Sequence, residues 1–213
     1  MAKLVPVPLL VSSPALPADV LHFLQDAEAR IESFQIRNEI NGFVPSDFRL
    51  IYQALWQIQQ KNLAAGTSFC EWGSGFGVIC CLAAHLGYSA CGIEISKELV
   101  TEAQLLADDY SFSVEFYCDS FIPHGGESCI AQEESSSWLE EQPGNLEEEG
   151  ISPSNYDVIF VYPWPGEERI TEKLFLQFAS PGALLLSFHG RDGLRLQRKV
   201  RESHPRRLRD RQY

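Results

Sequence analysis

Apolar positions along the chain set the map of elements. Val20, Leu24, Ala27, Ile31 and Phe34 recur at helical spacing after Ala18, predicting a first amphipathic helix that Asn41-Gly42 breaks. Phe48, Ile51, Leu55 and Ile58 repeat the stripe. They predict a second helix, capped by Ser46, stiffened at its start by Pro45 and finished near Gly66. Residues 1–17 are punctuated by prolines and read as extended.

From Ser68 the pattern becomes strand and helix in alternation. Ser68–Glu71, Ala90–Ile95 and Val114–Cys118 read as strands, separated by a helix over Gly77–Leu86 and by one capped by Ser96 with Leu99, Ala103, Leu106 and Tyr110 on its face. Tyr156–Tyr162 contains the run Val158-Ile159-Phe160-Val161 and reads as a strand buried on both faces. A helix carrying Ile170, Leu174, Phe175 and Phe178 follows, then the strands Ala183–Phe188 and Leu194–Val200. Such alternation predicts an α/β domain with a doubly wound, mostly parallel sheet. The boundaries are an N-terminal extended and helical part over 1–66, a core over 67–190, and a final strand with a basic tail over 191–213.

Composition supports this picture: 213 residues, 45% hydrophobic and 22% charged, suffice for one core. No apolar run reaches the roughly 18 residues of a membrane span, so no membrane partner is expected. Pro6 and Pro8 interrupt the stretch Leu4–Val11, which argues against a secretory signal. The six cysteines lack paired CxxC spacing and mostly sit in apolar runs, as small buried hydrophobes do in a reducing, cytoplasmic setting. No metal site is expected.

Charge is uneven. Residues 191–213 carry nine Lys/Arg against three acids, so the net charge of −12 leaves −18 on the first 190 residues. An acidic body disfavours nucleic acid as partner, and the basic end reads as a solvated terminus. Between Gly125 and Gly150 there are eight Glu and no Lys or Arg. This segment reads as a solvated insertion, dispensable for the core, with a short helix around Cys129–Glu141.

The candidate chemistry lies in Glu71-Trp72-Gly73-Ser74-Gly75-Phe76-Gly77, a strand running into glycines and then a helix. Glycines allow a sharp turn and close approach to a ligand, and the helix N-terminus presents unpaired N–H groups. Glu94 ends the next strand, where dinucleotide folds keep an acid for a ribose diol. The spacing is GxGxG, whereas dinucleotide enzymes use GxGxxG, and Glu71 before the loop would repel a pyrophosphate but suits an ammonium.

At these residues the sequence resembles the class I S-adenosylmethionine-dependent methyltransferases, over roughly Phe43 to Gly190. The resemblance implies a Rossmann-like methyltransferase sheet with S-adenosyl-L-methionine as cofactor. It implies that Gly73, Gly75 and Gly77 pack against methionine and ribose, that Glu71 holds the amino group and that Glu94 binds the ribose hydroxyls. Asp119, Ser120 and Phe121 would form the adenine wall, with Asp119 accepting from the exocyclic amine. Phe43 and Pro45, in Asn41-Gly42-Phe43-Val44-Pro45-Ser46-Asp47, resemble the loop that small lysine methyltransferases, such as those acting on the ATP synthase c-subunit, lay over the methionine end.

Tyr162-Pro163-Trp164-Pro165 stands where amino-methylating relatives carry Asn/Asp-Pro-Pro-aromatic, so Tyr162 and Trp164 are the catalytic candidates, as aromatic faces for the acceptor. His189, ending the fifth of the parallel strands, reads as structural more readily than as a base. Family members usually finish with two more strands. Only 23 residues follow Gly190, so the sheet is expected to lack part of that pair. The reading is a methyltransferase whose acceptor is a protein lysine or a small molecule. A non-catalytic cofactor-binding scaffold is the alternative, and a nicotinamide-dependent oxidoreductase is disfavoured by the loop.

Overall fold

A computed structural model describes residues 2–9, 15–37, 43–130 and 144–201. The elements are β1 (Ala2–Pro6), α1 (Ala18–Arg37), α2 (Phe48–Gln60), β2 (Ser68–Trp72), α3 (Val78–His85), β3 (Ser89–Glu94), α4 (Lys97–Asp109), β4 (Val114–Cys118), α5 (Glu127–Ile130), β5 (Val158–Val161), α6 (Glu168–Phe178), β6 (Leu184–Phe188) and β7 (Leu194–Arg201). Their order in the single sheet is β1-β7-β6-β5-β2-β3-β4. Strands β2 to β6 pair in parallel, and β7 lies antiparallel on β6.

Alternation along each strand divides the interior in two. Phe69, Val158, Phe160, Leu184 and Leu186 face a core closed by α1 to α4. Cys70, Trp72, Ile93, Ile159 and Val161 face the opposite core under α6. The chain builds outward from β2 to β4, then returns past β2 to begin β5, so the winding reverses between β2 and β5. Ligands in open α/β sheets lie beyond the carboxyl ends of the strands at such a reversal.

Three expectations are corrected. The second helix is capped by Asp47, whose Oδ1 accepts from the Leu50 N–H at 3.0 Å, rather than by Ser46. The insertion packs at both described ends: Cys129, Ile130 and Leu146 are buried in the core beneath α6. The described part of its short helix is Glu127–Ile130; the rest of the span expected for it, to Glu141, lies outside the described residues.

The third correction concerns the sheet's edge. The sheet is not trimmed, because β1 takes the outermost position next to β7, pairing Ala2 with Arg201 and Pro6 with Gln197. Being antiparallel to β7, it runs with the five parallel strands. Leu4 packs on one core and Val7 on the other. The basic end is likewise partly built into the fold. Arg198 donates to the Leu63 and Gly182 carbonyls and Lys199 to that of Ala179, so these cations serve backbone acceptors.

Removing residues 1–9 should therefore expose the β7 edge and lower stability by about 2–4 kcal/mol, or roughly 5–15 °C in Tm. Thermal unfolding followed by circular dichroism measures this. An unchanged Tm would mean that β1 contributes nothing to the sheet.

Candidate functional site

The glycine loop is held by its neighbours on β3. The N–H groups of Gly73 and Ser74 both donate to the Ile93 carbonyl at 2.9 Å, and that of Gly77 donates back to the Ser74 carbonyl at 2.8 Å. Glu94 completes the anchorage: Oε2 accepts from the Gly75 N–H at 2.8 Å and Oε1 from the Ser96 N–H at 2.9 Å. Gly73, Gly75 and Gly77 all have positive φ. The space around each differs. A Cβ on Gly75 would stand 2.7 Å from the Phe43 ring, and one on Gly77 would stand 2.5 Å from Phe116. At Gly73 nothing lies within 4 Å, so that backbone is open to a ligand.

Beyond the carboxyl ends of the strands is a cavity of about 450 Å³. Eleven of the twelve candidate residues line it: Phe43, Pro45, Glu71, Gly73, Gly75, Glu94, Asp119, Ser120, Phe121, Tyr162 and Trp164. Gly77 does not. It caps α3 behind the loop, where its missing side chain lets Phe116 and Ala103 pack closely. Asn41 and Gly42 lie outside the described residues.

Glu71 is buried, and desolvation pushes its carboxyl up to about 8, against hydrogen bonds from Cys80 that favour the charged form. The Cys80 thiol donates to Glu71 Oε2 at 3.1 Å. Asp119 ties the loop after β4 to the end of the insertion: its Oδ1 accepts from the Ser120 N–H at 2.7 Å and its Oδ2 from the Asn145 N–H at 2.8 Å. Phe121 stacks on Trp72 with ring centroids 5.3 Å apart and planes 5° from parallel. Sequence reasoning missed Trp72, because burial of its neighbours on β2 gave no sign that its ring meets Phe121. Ser74 Oγ is buried at the cavity wall without a hydrogen-bond partner among the described residues, which is costly unless a ligand supplies one.

Phe43 covers the loop from the α2 side. Its ring lies on Gly75 and stacks on Phe76 at 6.0 Å. Tyr162 and Trp164 form another part of the cavity wall, and Tyr162 packs edge-on against Phe188 at 4.8 Å. Glu167 and Thr171 join this wall, and both are buried. They too were missed, although Glu167 follows Pro165-Gly166, in a turn closed by its N–H on the Trp164 carbonyl. His189 does not line the cavity; its Nε2 lies 2.8 Å from Ser187 Oγ, and burial together with Arg195 lowers its basicity.

No protein-family model matches the chain, and no curated protein is similar to it in sequence. Solved structures are similar in fold. One is an RNA methyltransferase from Salinibacter ruber in complex with S-adenosyl-L-homocysteine, 19% identical, covering 78% of this chain and 99% of its own, with a TM-score of 0.51. Another is the methyltransferase PaMTH1 from Podospora anserina with S-adenosylhomocysteine bound, 15% identical, covering 82% of this chain and 63% of its own, with a TM-score of 0.50. At these identities the likeness concerns the fold: this chain has the Rossmann-like fold of the class I S-adenosylmethionine-dependent methyltransferases.

Proposed function

We propose that the protein is an S-adenosylmethionine-dependent methyltransferase whose acceptor is a protein lysine or a small molecule. The observation that carries this reading is the meeting of the GxGxG loop, Glu94 and the partnerless Ser74 hydroxyl at one cavity. In this reading Glu94 takes the ribose hydroxyls through lone pairs left over from its two backbone N–H bonds. Glu71 faces the amino group, Phe121 and Trp72 border the adenine, and Phe43 closes over the methionine end. When bound, the cofactor supplies a sulfonium methyl to a neutral nucleophile. The chain's own contribution is to align that nucleophile and exclude water, which the apolar walls of Phe43, Tyr162 and Trp164 suit.

Glu94→Ala should weaken binding of S-adenosylmethionine and S-adenosylhomocysteine alike, by about 10- to 100-fold, because charge-assisted hydrogen bonds worth roughly 1.5–3 kcal/mol are lost for both. Calorimetry measures it. Absence of binding by the unaltered protein would overturn the reading, whereas an undiminished affinity in the variant would remove only the role given to Glu94.

Glu71 gives a pH signature. Its folded-state carboxyl titrates at about 8, above the ordinary carboxylate range, so the folded protein holds the proton more tightly than the unfolded chain. The stability this confers is fully present below the unfolded value and is lost as pH rises through 8. Glu71→Gln should therefore raise Tm relative to the unaltered protein, by an amount that grows between about pH 5 and 8 and is flat above. The same substitution should weaken S-adenosylmethionine binding above pH 8, where an ammonium would otherwise meet a carboxylate. A Tm difference independent of pH would show that Glu71 is not the titrating group.

A further inference from the structure

We propose that Cys80 is a positioning residue that acts through Glu71. Its thiol turns from the Cys91 carbonyl to Glu71 Oε2 when that carboxyl loses its proton to meet a ligand's ammonium. This rests on the methyltransferase reading and deepens it, since it says how a buried acid comes to hold the amino group of S-adenosylmethionine.

Geometry gives the thiol two acceptors. Cys80 Sγ lies 3.1 Å from Glu71 Oε2 and 3.3 Å from the Cys91 carbonyl oxygen. Cys80 is fully buried, and Glu71 is 5% exposed at the cavity wall. A thiol has one proton to donate, so it serves one of the two acceptors at a time. Cys80 is also in the first turn of α3, whose N-cap, Gly77, brings no side chain. Its backbone N–H bonds to the Glu71 carboxyl, which thereby supplies an acceptor to the start of the helix. That bond holds the carboxyl beside the thiol whichever way the S–H points.

The surroundings decide which acceptor is used. Glu71 is faced by Cys70 on its own strand, by Cys80 and Cys81 on α3, and by Glu94 at the end of β3. On its other side β5 pairs with it at Phe160. Burial pushes the three thiols up, so they stay neutral, and Glu94 disfavours a second negative charge. The described lining of the cavity contains no Lys, Arg or His. Without a ligand Glu71 therefore keeps its proton, and the S–H rests on the Cys91 carbonyl. An ammonium in the cavity supplies the missing positive charge. Glu71 then releases its proton to water, the ligand keeps all of its own, and the S–H donates to the new carboxylate.

The test uses the full chain and two probes that differ in their amino-acid part: S-adenosylhomocysteine carries the ammonium and methylthioadenosine lacks it. Calorimetry in buffers of different ionisation enthalpy counts the protons released. S-adenosylhomocysteine should release about one proton per molecule bound at about pH 6.5, and progressively less as pH rises through 8. Methylthioadenosine should release none. Cys80→Ala should weaken S-adenosylhomocysteine about 5- to 20-fold at that pH and leave methylthioadenosine within about twofold, and Cys80→Ser should restore most of the loss. In the unaltered protein, the infrared S–H stretch that Cys80→Ser removes should move to lower frequency with S-adenosylhomocysteine and stay in place with methylthioadenosine. No proton release with S-adenosylhomocysteine, equal release with both probes, an unmoved S–H band, or equal weakening of both probes in Cys80→Ala would each overturn the proposal. Failure of S-adenosylhomocysteine to bind the unaltered protein would instead overturn the methyltransferase reading.

Discussion

One carboxylate holds the glycine-loop side of the cavity together. Glu94, at the carboxyl end of β3, accepts from the N–H groups of Gly75 and Ser96, so a single side chain fixes both the glycine loop and the start of α4. The loop between β2 and α3 has three glycines at positive φ and would otherwise have many conformations to lose on folding. Charge-assisted bonds to a half-buried carboxylate are strong enough to select one of them. The open backbone at Gly73, the buried hydroxyl of Ser74 and the bed on which Phe43 rests all follow from that selection.

The cavity is organised by the expense of burying negative charge. Glu71 meets it by holding its proton up to about pH 8, Glu94 and Asp119 by accepting backbone N–H bonds. Asp119 also explains why the acidic insertion is tied down where it returns to the core. Its end at Asn145 bonds to the same side chain that borders the cavity, and Leu146 is buried next to it.

Completion of the sheet is a long-range matter. The hairpin from β6 to β7 leaves an edge that the chain covers with its own first strand, although Ala2 and Arg201 lie at opposite ends of the described sequence. An open edge is a template for unwanted pairing, and β1 moves that edge outward to a five-residue strand containing a proline at its end. Arg198 and Lys199 gain backbone acceptors in the same region, which is why part of a charged segment can sit in a sheet.

The sequence by itself determined the alternation of elements, the parallel sheet, and the glycine loop with its partner Glu94. Those features are written locally: apolar spacing for α1, α2, α4 and α6, the four-residue apolar run of β5, and the fixed distance from the glycine loop to Glu94. The tertiary structure alone decided what depends on contacts between distant segments. It placed β1 at the sheet's edge, turned Gly77 from a ligand contact into a packing position against Phe116, stacked Trp72 on Phe121, and buried Leu146 and Cys129 of a segment whose composition reads as solvent-exposed. It also brought Glu167 to the cavity wall. Periodicity reports which face of an element is apolar, but not which other element covers it, and neither packing partners nor the burial that shifts the Glu71 carboxyl exist until the sheet is assembled.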